Sequence, residues 1–184
     1  MRAAGQSAMG DRAVFLDRDG VLVVPEFRDG RSYAPRSLDD FRLYEAAKAC
    51  VDRLKAADFR LVVVTNQPDV GNGITQRLVV EEMHRRLRDE LPVDEIQVCY
   101  HTSNDACTCR KPRPGMLLDA ARKLGLDLSR SVMIGDRASD VDAGIAAGCR
   151  TVFIDLGYRE PMPERADFVV TSLSEATEIV LNEI

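Results

Sequence analysis

No purely aliphatic run in this chain exceeds Leu61-Val62-Val63-Val64, far below the roughly 18 residues that a membrane span needs. The opening residues, MRAAGQSAMGDR, contain no apolar stretch of the kind that marks a secretory signal. There is no basic block, and 25 Lys and Arg against 30 Asp and Glu give a net charge of −5. Such a balance argues against nucleic acid or an anionic membrane as partner. The Gly-x4-Gly-Lys-Ser/Thr phosphate loop is absent, which excludes a P-loop kinase. Repeats and low-complexity stretches are absent too. With 184 residues, the chain can bury one sizeable core and has no room for a large second domain above it.

Short apolar runs alternate with helical patterns. The runs Ala13–Leu16, Arg60–Val64, Ile96–Tyr100, Ser131–Ile134 and Thr151–Ile154 read as strands, and Phe168–Val170 as a short edge strand. Helices are expected over Leu43–Ala57, Thr75–Glu90, Pro114–Leu124 and Ser139–Ala147. In the second of these, Val80, Met83, Leu87 and the following Leu91 share one apolar face, while His84 reads as a polar-face residue. Proline opens the third helix. Ser172-x-x-Glu175 is a capping box for a last helix. Alternating β and α with continuous Val- and Ile-rich strands predicts an α/β fold, a doubly wound parallel sheet covered on both faces. Residues 1–10 read as a flexible leader and 11–184 as one domain.

Sheets of this kind bind ligands at the C-terminal ends of their strands. There the sequence places Asp17-Arg18-Asp19-Gly20, Thr65-Asn66-Gln67, Arg110-Lys111-Pro112 and Gly135-Asp136-Arg137. Asp17 and Asp19, two apart in extended chain, share a face. Two carboxylates held together need a cation or a shared proton. With Asp136 as a third carboxylate, the group suits Mg²⁺ together with a substrate phosphate. Lys111 and Thr65 supply a positive charge and a hydroxyl for the oxygens of a transferring phosphoryl group. A turn-forming Asp-x-Asp-Gly would explain one of these motifs alone. An EF-hand calcium loop would need ligands that do not follow Gly20.

The four motifs, Asp17-x-Asp19-Gly20-Val21, Thr65-Asn66, Lys111 and Gly135-Asp136-x-x-x-Asp140, stand in the order found in the haloacid dehalogenase superfamily, which the chain resembles from about Val14 to Ile154. The resemblance implies a phosphatase that works through an aspartyl-phosphate. Asp17 would be the nucleophile, and Asp19 the acid that protonates the leaving alcohol and then the base that activates water. Asp17, the backbone carbonyl of Asp19, and Asp136 would hold Mg²⁺, with Asp140 behind them. A receiver-like phosphoryl switch uses similar groups. It places adjacent acids after its first strand, however, and its lysine comes last, whereas here Lys111 precedes Asp136.

Of five cysteines, Cys50 and Cys149 lie in apolar segments and read as small buried hydrophobes. Cys99, His101, Cys107 and Cys109 form C-x-H-x5-C-x-C, four ligands that suit a closed, structural, tetrahedral zinc site. Zinc in this loop, residues 99–111, could contribute on the order of 10 kcal/mol of ordering free energy and would aim Arg110 and Lys111.

The run Cys107-x-Cys109-Arg110-Lys111-Pro112-x-Pro114-Gly115-Met116, with Phe15-Leu16-Asp17-Arg18-Asp19-Gly20-Val21, resembles the superfamily's zinc-bearing branch of heptose bisphosphate and histidinol-phosphate phosphatases. That branch implies hydrolysis of a small sugar phosphate, foremost a heptose 1,7-bisphosphate at its 7-phosphate, with histidinol phosphate as the alternative. Arg18, Asn66, Arg110 and Arg137 would contact substrate. Arg110 and Arg137 suit a second anionic group; histidinol phosphate carries an ammonium instead. The segment Val23-Val24-Pro25-Glu26-Phe27 departs from the branch pattern. The expectation is a cytoplasmic monomer acting on a small phosphorylated metabolite.

Overall fold

Ala13–Leu16 (β1) is apolar without a break, and all four residues are buried. A strand with no polar alternation must be covered on both faces, and β1 lies in the middle of a sheet. The computed structural model describes residues 10–184. The expected leader, residues 1–10, therefore lies outside the described residues except for Gly10.

After β1 come a hairpin, Glu26–Arg28 (β2) and Arg31–Tyr33 (β3), then helix Ala47–Ala56 (α1) and strand Arg60–Asn66 (β4). A single turn, Pro68–Gly71 (α2), precedes helix Arg77–Glu90 (α3) and strand Glu95–Cys99 (β5). Helix Gly115–Leu124 (α4), strand Val132–Gly135 (β6), helix Ala138–Ala147 (α5) and strand Arg150–Ile154 (β7) follow. Strand Phe168–Val170 (β8) and helix Leu173–Glu183 (α6) close the chain.

The main sheet has six strands in the order β5-β4-β1-β6-β7-β8, and every pairing is parallel. The chain winds outward from β1 through β4 to β5, then crosses back to β6. Strand order thus reverses at β1, where a ligand crevice is expected.

Side chains alternate across the sheet as a period of two demands. Val14, Leu16, Leu61, Val63, Val132 and Ile134 face Val51 and Leu54 of α1, Met83 and Leu87 of α3, and Ala176 and Val180 of α6. Ala13, Phe15, Val62, Val64 and Met133 face Met116, Leu117 and Ala120 of α4 and Ala143 of α5. Cys50 and Cys149 are buried, as expected. Ser172 caps α6 by accepting from the Glu175 N–H, but the Glu175 carboxylate reaches one residue further out, to the Thr171 N–H at 2.8 Å.

Two local departures shape the site. The helix expected from Leu43 begins only at Ala47. Leu43 instead forms an antiparallel bridge with Val23, flanked by Val24 N–H to Arg42 O and Tyr44 N–H to Leu22 O, each 2.9 Å. Those backbone groups are taken by the segment after Asp19, so the helix cannot use them. Second, the β2–β3 hairpin was not expected. Its turn is Asp29-Gly30, both with positive φ (51° and 79°), the backbone that a two-residue hairpin loop favours. Gly30 is needed there: a Cβ would strike the Arg159 side chain at 2.7 Å, where Arg159 N–H donates to Gly30 O. Phe27 stacks on Tyr158, centroids 5.7 Å apart, so the hairpin lies against the loop after β7.

Candidate active site

Asp17 leaves the end of β1 with its N–H bonded to Ile134 O. Its Oδ1 accepts from the Arg18 N–H and from the Lys111 ammonium, both at 2.8 Å. Oδ2 accepts nothing among the described residues. Lys111 is buried and also donates to Val64 O at 2.8 Å, while its ammonium sits 2.6 Å from Asp140 Oδ1. Burial alone would lower the Lys111 pKa, but the carboxylates of Asp140 and Asp17 outweigh it and hold the ammonium charged. Asp140 also starts α5, its Oδ2 accepting from the Arg137 N–H at 3.0 Å. One carboxylate thus caps a helix and fixes the buried lysine.

Asp136 follows β6 and has no such partner. Both its oxygens are buried without a hydrogen bond. Burial, then Asp17 and Asp140, push its pKa well up. Ligand oxygens of Asp17, Asp136 and Asp140 lie within 4.8 Å of one another. Three carboxylates around one ammonium leave two negative charges when all are ionised, the charge that a divalent ion offsets. The orphaned Asp136 oxygens and the hard donor set fit Mg²⁺. Gly20 (φ +93°) permits this approach, since a Cβ there would meet Asp136 Oδ2 at 2.0 Å.

Asp19 lines the open side, 14% exposed at its side chain. Gln67 Nε2 donates to Asp19 Oδ2 and to Thr65 Oγ1, each at 2.8 Å. Thr65 is buried.

Arg18 corrects an expectation: its guanidinium is wholly buried and faces inward rather than toward substrate. Nε and Nη2 grip Asp19 Oδ1 and Oδ2 at 3.0 Å each, and Nη1 reaches His84 Nε2 at 2.9 Å. His84, read from the sequence as a polar-face residue, is 4% exposed. Asn66 turns its amide to the Lys111 backbone, giving and accepting one hydrogen bond.

A cleft of about 620 Å³ opens above these groups, lined by Asp17, Asp19, Asn66, Lys111 and Asp140 on its floor. Arg110, Arg137, Arg31 and Arg159 stand on its walls. Arg137 Nη2 donates to Ser32 O and Oγ at 2.7 Å, and Nη1 lies 3.3 Å from Glu160. Arg31, Arg110 and Arg159 have no carboxylate partner among the described residues. Arg31 and Arg159 were not anticipated. The Asp29-Gly30 turn was the available signal, because it predicts the hairpin that carries Arg31 over the cleft.

Cys99, His101, Cys107 and Cys109 converge, with all four ligand atoms within 4.8 Å of one another. Cys99 Sγ lies 3.1 Å from Cys109 Sγ and 3.8 Å from Cys107 Sγ, and His101 Nδ1 lies 3.2 Å from Cys109 Sγ. Tetrahedral ligands about 2.3 Å from zinc stand roughly 3.7 Å apart, close to the Cys99–Cys107 separation, while the other two pairs are drawn tighter than that. Burial, then Cys109, push the Cys99 thiol up to about 12, so its thiolate needs a metal cation. This cluster can hold zinc. It joins the end of β5 to Arg110 and Lys111.

Comparison with known proteins agrees with this geometry. A HAD-hydrolase-like family matches residues 108–176. The D-glycero-beta-D-manno-heptose-1,7-bisphosphate 7-phosphatase of Pseudomonas aeruginosa is 33% identical over 166 residues, 85% of this chain and 90% of that protein. The Escherichia coli K12 protein of the same name is 33% identical over 183 residues, covering 91% and 93%. The crystal structure of D,D-heptose 1,7-bisphosphate phosphatase from B. bronchiseptica, complexed with magnesium and phosphate, superposes with a TM-score of 0.78 at 29% identity. That match covers 94% of this chain and 99% of the other. Motif order, the buried Asp17–Lys111–Asp140 group and these likenesses agree: the chain belongs to the haloacid dehalogenase superfamily, in the branch of the heptose bisphosphate phosphatases.

Proposed function

We propose that the chain, with residues 11–184 as one phosphatase domain, hydrolyses the 7-phosphate of D-glycero-beta-D-manno-heptose 1,7-bisphosphate. The observation that carries this reading is the pairing of an aspartate held by a buried lysine with four arginines on the cleft wall. Mg²⁺ held by Asp17, Asp136 and the Asp19 carbonyl would offset the charge of the transferring phosphoryl group.

Asp17 Oδ1 already carries two donors, which leaves the lone pairs of Oδ2 for attack on phosphorus. As the Asp17–phosphorus bond forms, the ester P–O bond breaks and Asp19 gives the leaving alkoxide its proton. In the second step Asp19 takes a proton from water, the water oxygen bonds phosphorus, and the Asp17–phosphorus bond breaks. Lys111 and Thr65 are assigned to the phosphoryl oxygens. Lys111 also holds Asp17 in place, donating to its Oδ1 at 2.8 Å. Arg110 and Arg137, joined by Arg31 and Arg159, supply positive charge for the 1-phosphate.

The ammonium of histidinol phosphate would meet these arginines unfavourably. We also read the protein as a cytoplasmic monomer without nucleic-acid or membrane partners. In support, the net charge is −5 and no helix among the described residues is long and apolar enough to cross a membrane.

The test is phosphate release from both anomers of the heptose bisphosphate, from other sugar phosphates and from histidinol phosphate. The heptose bisphosphate should have the highest kcat/KM. Preference for histidinol phosphate would overturn the substrate assignment. Asp17→Asn should abolish turnover of every ester, since the uncatalysed reaction is among the slowest known; near-normal activity would overturn the nucleophile.

A further inference from the structure

His84 sits on α3 beside Met83, on the edge of the helix's apolar face, and is 4% exposed. Among the described residues its side chain has one hydrogen-bond partner, Arg18, whose Nη1 lies 2.9 Å from Nε2. A guanidinium has donors and no acceptor, so Nε2 must accept and the imidazole must be neutral. The surroundings agree: burial, then Arg18 and Arg88, lower the His84 pKa to about 3.

Arg18 has no exposed surface. Its other two nitrogens form a parallel fork on the two oxygens of Asp19, at 3.0 Å each. Phe41 lies alongside, 5.9 Å from ring centroid to guanidinium. Arg18 therefore has few other arrangements open to it. His84 takes the one nitrogen that the fork leaves over.

We infer that His84 is a positioning residue for the leaving-group proton, acting through Arg18 to fix the plane and direction of the Asp19 carboxylate. This rests on the reading of Asp19 as the acid. Arg18 without His84 would keep a buried donor unpaired, and the cheapest relief is rotation of its fork away from Asp19. Gln67 alone, one bond at 2.8 Å, does not set the carboxylate plane.

The consequence is selective. A poor leaving group such as a sugar alkoxide needs its proton from Asp19 as the ester bond breaks. A p-nitrophenolate leaves without one. The ratio kcat/KM covers the steps up to departure of the leaving group and excludes hydrolysis of the aspartyl-phosphate. His84→Leu should therefore lower kcat/KM by about tenfold or more for the alkyl phosphate that the wild type turns over fastest. For p-nitrophenyl phosphate it should stay within about twofold.

His84→Gln places an amide oxygen near the Nε2 position and should restore the alkyl activity. His84→Asn keeps the polarity but stops short of Arg18. It should behave as Leu does, and it serves if the Leu variant does not fold. Equal losses on the two esters, or an Asn variant as active as Gln, would overturn the positioning role. A wild type that releases phosphate from no alkyl ester would instead overturn the phosphatase reading itself.

Discussion

Asn66 and Lys111 are joined by two reciprocal hydrogen bonds: Lys111 N–H to Asn66 Oδ1 and Asn66 Nδ2–H to Lys111 O, each 3.1 Å. The end of β4 thus grips the backbone of the residue whose ammonium holds Asp17. Asn66 was expected to meet substrate, and it lines the cleft, but its amide is already used in fixing Lys111. Asn66→Ala should lower kcat more than it raises KM and cost about 1–3 kcal/mol in stability. Steady-state kinetics and a thermal melt check both.

Asp136 is the carboxylate without a partner. In metal-free protein its charge is opposed by burial and by Asp17 and Asp140. Burial also raises the Asp140 pKa, to about 6. Between about pH 4 and pH 6 the folded metal-free chain therefore holds a proton that the unfolded chain has released. The stability contributed by that proton is present below pH 4 and is lost as pH rises through 6. Asp136→Asn removes one repelling charge. In EDTA at pH 7 it should raise Tm by about 2–4 °C for each kcal/mol relieved, flatten the dependence on pH, and abolish stabilisation by Mg²⁺. A lower Tm than wild type in EDTA would contradict the repulsion.

Metal analysis should find about one zinc per chain, retained when magnesium is removed. Cys109→Ser should lose it. The loop would then no longer present Lys111 in register, so activity should fall while the sheet core stays folded, as read by circular dichroism. A zinc-free protein of full activity would contradict the structural role.

Arg31 and Arg159 both line the cleft, Arg159 with its N–H on Gly30 O, and carry no carboxylate partner among the described residues. Truncating either to Ala should raise KM for the heptose bisphosphate by about tenfold, the scale of a charge-assisted hydrogen bond. KM for p-nitrophenyl phosphate should change little. Arg110→Ala should behave in the same direction. Equal effects on both esters would argue against a second anion held on this wall.

The six strands of the main sheet could be read from the sequence because each is a short, mainly apolar run bounded by turn residues, a signal contained within about seven residues; the hairpin strands, Glu26–Arg28 and Arg31–Tyr33, carry no such run. The motifs at their C-terminal ends followed from that placement. The cluster that can hold zinc was legible for the same reason, as its four residues fall within Cys99 to Cys109. The helix start at Leu43 was misread because Leu43 is held by Val23, a partner twenty residues away that helical periodicity does not report.

Local patterns specify the parallel sheet, the acids and lysine at its crevice, and the Cys-His loop that can hold a metal. Tertiary structure decided which way the polar groups face. Arg18 turns inward to a histidine 66 positions away, and Asn66 clamps a backbone 45 positions away. The hairpin carries Arg31 to the cleft that Arg159 also lines. Chain periodicity specifies the face that an element buries, whereas a buried donor must find its acceptor wherever packing places one.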